Sequence, residues 1–218
     1  MTVPTITQPR QIGLRERKKQ RMREEISRAA LRLFAERGFE DVTIAEIADT
    51  ADVSQKTVFN YFPTKEDLVY SREEEVEHQL REAIAGRERG QSVVDGVRRF
   101  LFDVFSRLGD KGAPEAIGVR ARIIGASPTL QARERAVFEA LTRLLAELIA
   151  EKEDDARAYV AANALVGVNR ALLESARRKV LAGRRGKRLV EDVLQEMDES
   201  LALLERGLGS YAKKRQTS

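Results

Sequence analysis

The chain has 218 residues, with 39 Lys and Arg against 35 Asp and Glu, a formal net charge of +4, one His and no cysteine. That length allows one large or two smaller hydrophobic cores, and the absence of thiols excludes disulfides and thiolate metal sites, which suits a reducing cytoplasm. No apolar run approaches the roughly 18 residues of a membrane span and no signal peptide opens the chain, so a cytoplasmic protein without a membrane partner is expected.

Proline is scarce, at 5 residues, and no alternating β-branched run occurs, so the expected fold class is all-α. Residues 1–14 (MTVPTITQPRQIGL) are polar, carry Pro4 and Pro9, and read as a flexible arm. An amphipathic helix is predicted from Arg17 to Arg37, where Ile26, Ala29, Ala30, Leu33 and Phe34 recur at helical spacing. Gly38 stands where a left-handed residue ends a helix, and Phe39 and Val42 turn back to the core. Ten basic side chains crowd Arg10 to Arg37 (Arg10, Arg15, Arg17, Lys18, Lys19, Arg21, Arg23, Arg28, Arg32, Arg37), opposed only by Glu16, Glu24, Glu25 and Glu36. Such a cluster meets phosphates in a salt-dependent, sequence-independent way, and Arg17, Lys18 and Arg21 are its candidate contacts. For Arg10 and Arg15 a solvated basic tail is an equal alternative.

Thr43 to Leu68 (TIAEIADTADVSQKTVFNYFPTKEDL) carries the most specific signal: two short helices joined by a tight turn. Thr43-Ile44-Ala45-Glu46 is a capping box, followed by the apolar stripe Ile44, Ile47, Ala48 and Ala51. Asp52-Val53-Ser54 makes the turn, with Val53 as an apolar pin and Ser54 as the next N-cap. In the second helix, Gln55 to Tyr61, the spacing predicts Val58, Phe59 and Phe62 inward. Gln55, Lys56, Thr57, Asn60 and Tyr61 are then left facing out. That outward set of amide, ammonium, hydroxyl and phenol groups suits base edges and phosphates. Pro63 stops the helix, and Thr64 with Asp67 caps a following one.

From Arg17 to Tyr70 these residues resemble the DNA-binding domain of the TetR family of bacterial regulators. The resemblance implies that Thr43 caps the second helix and touches a phosphate. It implies that Gln55, Lys56, Thr57 and Asn60 lie on the recognition helix, with Tyr61 and Lys65 gripping the backbone at the groove edge. Members often carry Tyr where this chain has Phe59. The lost hydroxyl removes a phosphate bond, so Phe59 is expected to be core only.

Beyond Leu68 longer helices are predicted: Lys65 to Ala85 as a charged connector, Gln91 to Leu108, Pro114 to Gly125, Pro128 to Lys152, Asp154 to Leu181, and Lys187 to Tyr211. Ser127-Pro128 is a cap followed by proline at the first helical position. The fourth of these is expected to bury Leu130, Ala136, Val137, Leu141, Leu144, Leu145 and Leu148. The last two helices are apolar over more than one face and are candidates for a homodimer interface, packed as a four-helix bundle. The domains expected are 15–70 for DNA binding and 71–211 for effector binding and dimerisation, with a loose tail at 212–218. A basic turn, Gly183 to Arg188, stays without a predicted role.

An apolar cavity lined by Phe100, Phe102, Phe105, Ile117, Ile123, Ile124, Phe138, Leu141 and Leu165 is the candidate effector site. Polar side chains there (Arg120, Arg122, Asn163, Asn169, Arg170) would meet a carboxylate, phosphate or thioester, or else a neighbouring Glu. The segment VRARIIGASPTLQARE resembles TetR-family members with an acyl-CoA-like ligand domain. No cofactor and no metal are expected: His78 lies among glutamates on a charged helix, and a Glu74–His78 metal pair is the weaker alternative to a surface role. No phosphate loop or nucleophile elbow occurs, so an enzyme is not expected.

The function expected is a ligand-responsive DNA-binding regulator, a repressor released from a palindromic operator by a small apolar or acyl-type effector. The helix from Lys65 to Ala85 would carry the movement. Two alternatives stay open: a helical carrier for an apolar acid, indifferent to Lys56 and Asn60, and an architectural DNA binder with one affinity for every duplex.

Overall fold

The structure, a computed structural model, describes residues 14–150 and 155–208; residues 1–13 of the expected arm, with Arg10, the expected tail and one end of each of three predicted helices fall outside these. The described residues form nine α-helices and no strand: α1 (Leu14–Arg37), α2 (Ile44–Thr50), α3 (Gln55–Tyr61), α4 (Glu73–Ala85), α5 (Val93–Ser106), α6 (Ala113–Ala126), α7 (Pro128–Ile149), α8 (Ala156–Leu181) and α9 (Gly186–Leu208). Two compact units result, one of residues up to Arg37 with Asp41–Ser71, the other of Gly38–Glu40 with Arg72 onward.

In the first unit, α1 lays Ile26, Ala30 and Phe34 against Ile47, Ala48, Val58, Phe62 and Leu68, all essentially inaccessible to water. α1 begins three residues before its expected start, because the run Arg15 to Arg21 consists of good helix formers with nothing to stop it.

The predicted helix from Lys65 is broken. A 3-10 turn, Glu66–Leu68, is followed by four residues outside any helix, and α4 starts only at Glu73. The cause is tertiary. Ser27 Oγ donates to the Leu68 carbonyl at 2.9 Å, and Arg23 Nε donates to the Ser71 carbonyl at 3.1 Å. A helix continued from Lys65 would need both carbonyls for its own ladder.

The second unit packs α4, α5, α7, α8 and α9 around one cluster that includes Leu80, Val97, Leu101, Leu145, Leu165, Leu172, Leu189 and Leu201. α5 opens on a capping box, with Ser92 N donating to Asp95 Oδ2 at 2.7 Å. Ser127 caps α7 through the Leu130 amide at 3.2 Å, with Pro128 at the first helical position. Ala136, expected in the core, is exposed, because α7 turns Leu141, Leu144 and Leu145 inward. α4 and α5 approach closely at Gly96, where an added Cβ would lie 2.9 Å from Ile84 Cδ1, 3.0 Å from Arg87 Cδ and 3.2 Å from the Ala83 carbonyl oxygen. A Gly96→Leu substitution should therefore overpack this crossing and cost about 1–3 kcal/mol, read as a lower urea midpoint for the full chain; an unchanged midpoint would refute the close approach as a constraint.

Candidate nucleic-acid interface

The presentation of α3 starts with the caps around it. Thr43 N donates to Glu46 Oε2 at 2.8 Å and the Glu46 amide donates back to Thr43 Oγ1 at 3.3 Å, so α2 begins with both halves of its capping box closed. Arg37 closes the same corner, reaching Glu46 Oε1 at 2.5 Å and the Asp41 carbonyl at 2.9 Å. The turn to α3 runs through Asp52 at φ 54, a left-handed conformation that a short polar side chain tolerates. Ser54 Oγ then accepts from the Thr57 amide at 3.0 Å.

α3 packs through Val58 and Phe62, both at 0% exposure, and turns its other face to solvent. Gln55, Lys56 and Asn60 are exposed, while Thr57 and Tyr61 are half-buried. Phe59, expected in the core, is 49% exposed. The packing stripe runs i, i+4, and the next residue along a helix points about 100° away from it. Val53, the expected pin, is half-buried.

The basic residues of α1 divide. Arg17 and Lys18 are exposed, and exposed Arg21 pairs with Glu25 at 3.0 Å. Arg37 is engaged with Glu46, as above. Arg23, grouped by sequence with the phosphate-facing cluster, turns inward: Nη1 donates to the Tyr61 carbonyl at 2.9 Å, and the guanidinium lies 4.7 Å from the Phe62 ring centroid. It thus ties the last turn of α3 and the exit segment to α1. Arg23 lies three residues before Ile26 on the same stripe, so position, unlike residue type, points inward. Lys65 lies over Phe34 at 5.8 Å.

In the second unit Phe100, Phe105, Leu141 and Leu165 share the core cluster, with Ile117 and Phe138 packed against it; Ile124 is buried outside that cluster. Phe102 is 51% exposed and does not line the interior. Arg122, Asn163 and Arg170 are also exposed; Asn163 donates to the Tyr159 carbonyl at 2.9 Å and Arg170 lies over the Phe138 ring. Their places on the outer faces of α6 and α8 explain why they interrupt the apolar pattern at no desolvation cost. Arg120 and Asn169 are the polar side chains that stay half-buried. Burial, then the charge of nearby Arg72, pushes the Arg120 guanidinium below its ordinary pKa. No buried side-chain nitrogen or oxygen lacks a partner among the described residues, and these residues hold no group of three metal-ligating side chains. No described helix is long and apolar enough to cross a membrane.

A tri-helical head with a capped, outward-facing second helix of a helix-turn-helix, followed by an all-helical unit, defines a one-component DNA-binding regulator. Residues 26–70 match the tetR family of bacterial regulatory proteins and residues 91–209 match the MftR C-terminal domain, so the chain belongs to the TetR family. It is 28% identical over 156 residues to the HTH-type transcriptional regulator TcmR of Streptomyces glaucescens, covering 70% of this chain and 69% of that protein. Among solved structures it is similar to a SmeT–triclosan complex, with TM-score 0.58 and 18% identity over 84% of this chain and 91% of that one. It is also similar to Thermus thermophilus FadR bound to lauroyl-CoA, with TM-score 0.51 and 25% identity over 89% and 97% of the two chains. The chain is accordingly a DNA-binding transcriptional regulator and not an enzyme; regulators of this family bind operators, dimerise and bind small molecules.

The Glu46 carboxyl is held at about 2, against an ordinary 4.5, chiefly by the Thr43 backbone N–H and then by Arg37. A lowered folded-state value stabilises the fold above the unfolded value, and that contribution disappears as pH falls from 4.5 toward 2. A carboxyl titration by NMR should show Glu46 still ionised about one pH unit below the ordinary carboxylate midpoint; titration at the ordinary value would refute the capping box. Thr43→Ala should cost about 1 kcal/mol in urea unfolding through loss of the cap.

Proposed function

We propose that the protein is a repressor that reads a palindromic operator through Gln55, Lys56, Thr57 and Asn60, with Thr43, Tyr61, Lys65, Arg17, Lys18 and Arg21 on the phosphate backbone. The observation that carries this is α3 itself: a helix fastened on its Val58–Phe62 side whose free face presents an amide, an ammonium and a second amide at Gln55, Lys56 and Asn60. Those groups match the donors and acceptors of the major groove.

Two copies are needed to read a palindrome, and α8 and α9 are the proposed interface. Each has an outer face on which large apolar side chains stand exposed among charged ones, Val160 at 67% on α8 and Leu203 at 68% on α9. A closed two-fold pairing of these faces places two recognition helices on one side of the duplex, about one helical turn of DNA apart.

The effector is proposed to be an apolar chain with an anionic head. Phe100, Phe105, Ile117, Ile124, Phe138, Leu141 and Leu165 would meet the chain, and Asn169 the polar junction. An anionic head beside Arg120 would relieve the repulsion between that desolvated guanidinium and Arg72. That FadR of Thermus thermophilus is a complex with lauroyl-CoA supports an acyl-type class. The coupling runs to the first turn of α4, where Arg133 reaches Glu73 at 2.5 Å and Arg107 reaches Glu75 at 3.3 Å. The ligand shifts the equilibrium only by its unequal affinity for the DNA-competent and DNA-released states.

Fluorescence anisotropy on a duplex selected from a random pool tests both parts. Lys56→Ala and Asn60→Ala should each reduce operator discrimination by about 1–3 kcal/mol, and equal binding to scrambled DNA by the wild type would defeat the reading. Lauroyl-CoA should weaken operator binding by roughly 5–150-fold, an effect lost in Arg120→Leu. Full operator affinity at saturating lauroyl-CoA would reject the acyl class.

A further inference from the structure

We propose that the basic turn joining α8 to α9 is a second, sequence-independent contact with the DNA phosphate backbone. The proposal rests on the DNA-binding reading above and adds to it a surface outside the helix-turn-helix. From Ser175 to Val190 the sequence holds seven cationic side chains and no Asp or Glu, although residues 72–208 as a whole carry equal numbers of acidic and basic groups. The turn is therefore a local concentration of charge and does not reflect a basic unit.

Two of the seven cations are committed to the interior. Arg177 forms a two-pronged pair with Glu134, at 3.0 and 2.5 Å, and Lys179 pairs with Glu196. The other five, Arg178, Arg184, Arg185, Lys187 and Arg188, are exposed. Their ion pairs are loose surface pairs: Arg184 with Asp192 at 3.6 Å, Arg185 with Glu115 at 3.3 Å and Lys187 with Glu191 at 3.1 Å. Pairs of this kind contribute about 0–1 kcal/mol and exchange readily for a stronger anion. Arg185 also donates to the Val180 carbonyl at 2.7 Å, which closes the end of α8 and holds the turn in shape.

The position of the turn within its unit favours DNA over a small anion. Glu75 in the first turn of α4 meets Arg107, and a Cβ added at Gly109, two residues on, would lie 3.3 Å from Val190 Cγ2 in the second turn of α9. Arg133 near the start of α7 meets Glu73, and Glu134 meets Arg177 near the end of α8. The start of α4, the start of α9 and the end of α8 thus gather at one end of the unit, the end at which the chain arrives from the helix-turn-helix. The five cations spread over a helix end (Arg178), a turn (Arg184, Arg185) and a helix start (Lys187, Arg188), as suits a row of phosphates.

The test is the triple variant Arg184→Gln, Lys187→Gln, Arg188→Gln in the full chain, with Arg185 kept because it caps α8. Anisotropy is read across a salt series on the selected operator and on a scrambled duplex, with Lys56→Ala alongside. The triple variant removes three cations from each of the two copies, so it should make the slope of log affinity against log salt shallower by up to about five and weaken both duplexes alike, leaving their ratio unchanged. Lys56→Ala should instead lower the ratio. An unchanged slope overturns the proposal and assigns the turn to solvent or to an acidic protein partner; a loss confined to the operator overturns it as well. A wild type without operator preference would defeat the regulator reading separately, and the slope comparison would still decide the turn.

Discussion

The head of this protein depends on one guanidinium. Arg23 leaves the cationic face of α1, donates to the carbonyls of Tyr61 and Ser71, and lies on the Phe62 ring. Ser27, one turn further along, donates to the Leu68 carbonyl. Together they hold both ends of the segment that follows the recognition helix. Hydrogen bonds to a charged donor contribute about 1.5–3 kcal/mol each, more than the cap of a seven-residue helix supplies. A helix as short as α3 has no stability of its own in water, so its orientation is set by what it is fastened to.

The second unit is fastened differently. Its helices are long enough to bury continuous stripes, and the polar pairs sit at the margins of those stripes: Arg177 with Glu134 between α8 and α7, Arg98 with Asp198 between α5 and α9. The first sets register more than it stabilises, because desolvation offsets much of the attraction, and the second, with Asp198 largely exposed, is weakened by solvent screening. The consequence for function is a unit whose interior is apolar and adaptable, with charged groups placed where helices meet. The first turn of α4 is the point where three arginines, from 72, 107 and 133, meet two glutamates. Any ligand that moves one of these arginines acts on the helix by which the chain enters the unit.

Much of this is legible in the sequence, for identifiable reasons. Capping boxes are local, so Thr43-x-x-Glu46 and Ser127-Pro128 mark helix starts without reference to the rest of the chain. Ser92-x-x-Asp95 carries the same signal and places the start of α5. What the sequence hides is tertiary. Nothing local breaks the connector from Lys65, so periodicity predicts one helix there; the break comes from Ser27 and Arg23, some forty residues earlier. An i, i+1, i+4 spacing puts Phe59 in the core with Val58 and Phe62, yet one residue's rotation from Val58 carries it to the surface. Charge alone groups Arg23 with the phosphate-binding cations, although its place on the apolar stripe puts it inside. In the candidate effector region Phe102, Asn163 and Arg170 point outward against expectation. A helix with several apolar faces gives no clear periodicity from which to choose the inner one.

The central claim, that Arg23 orients the recognition helix and does not bind phosphate, is tested by Arg23→Met, which keeps the aliphatic stem and removes the fork. Operator affinity measured across a salt series, with amide exchange of residues 58–62, separates the two roles. The predicted result is weaker operator binding, an unchanged salt slope and faster exchange at the end of α3. A slope shallower by about two, one contact from each copy, with α3 exchange as in the wild type, would show that Arg23 had been a phosphate contact and would contradict the claim.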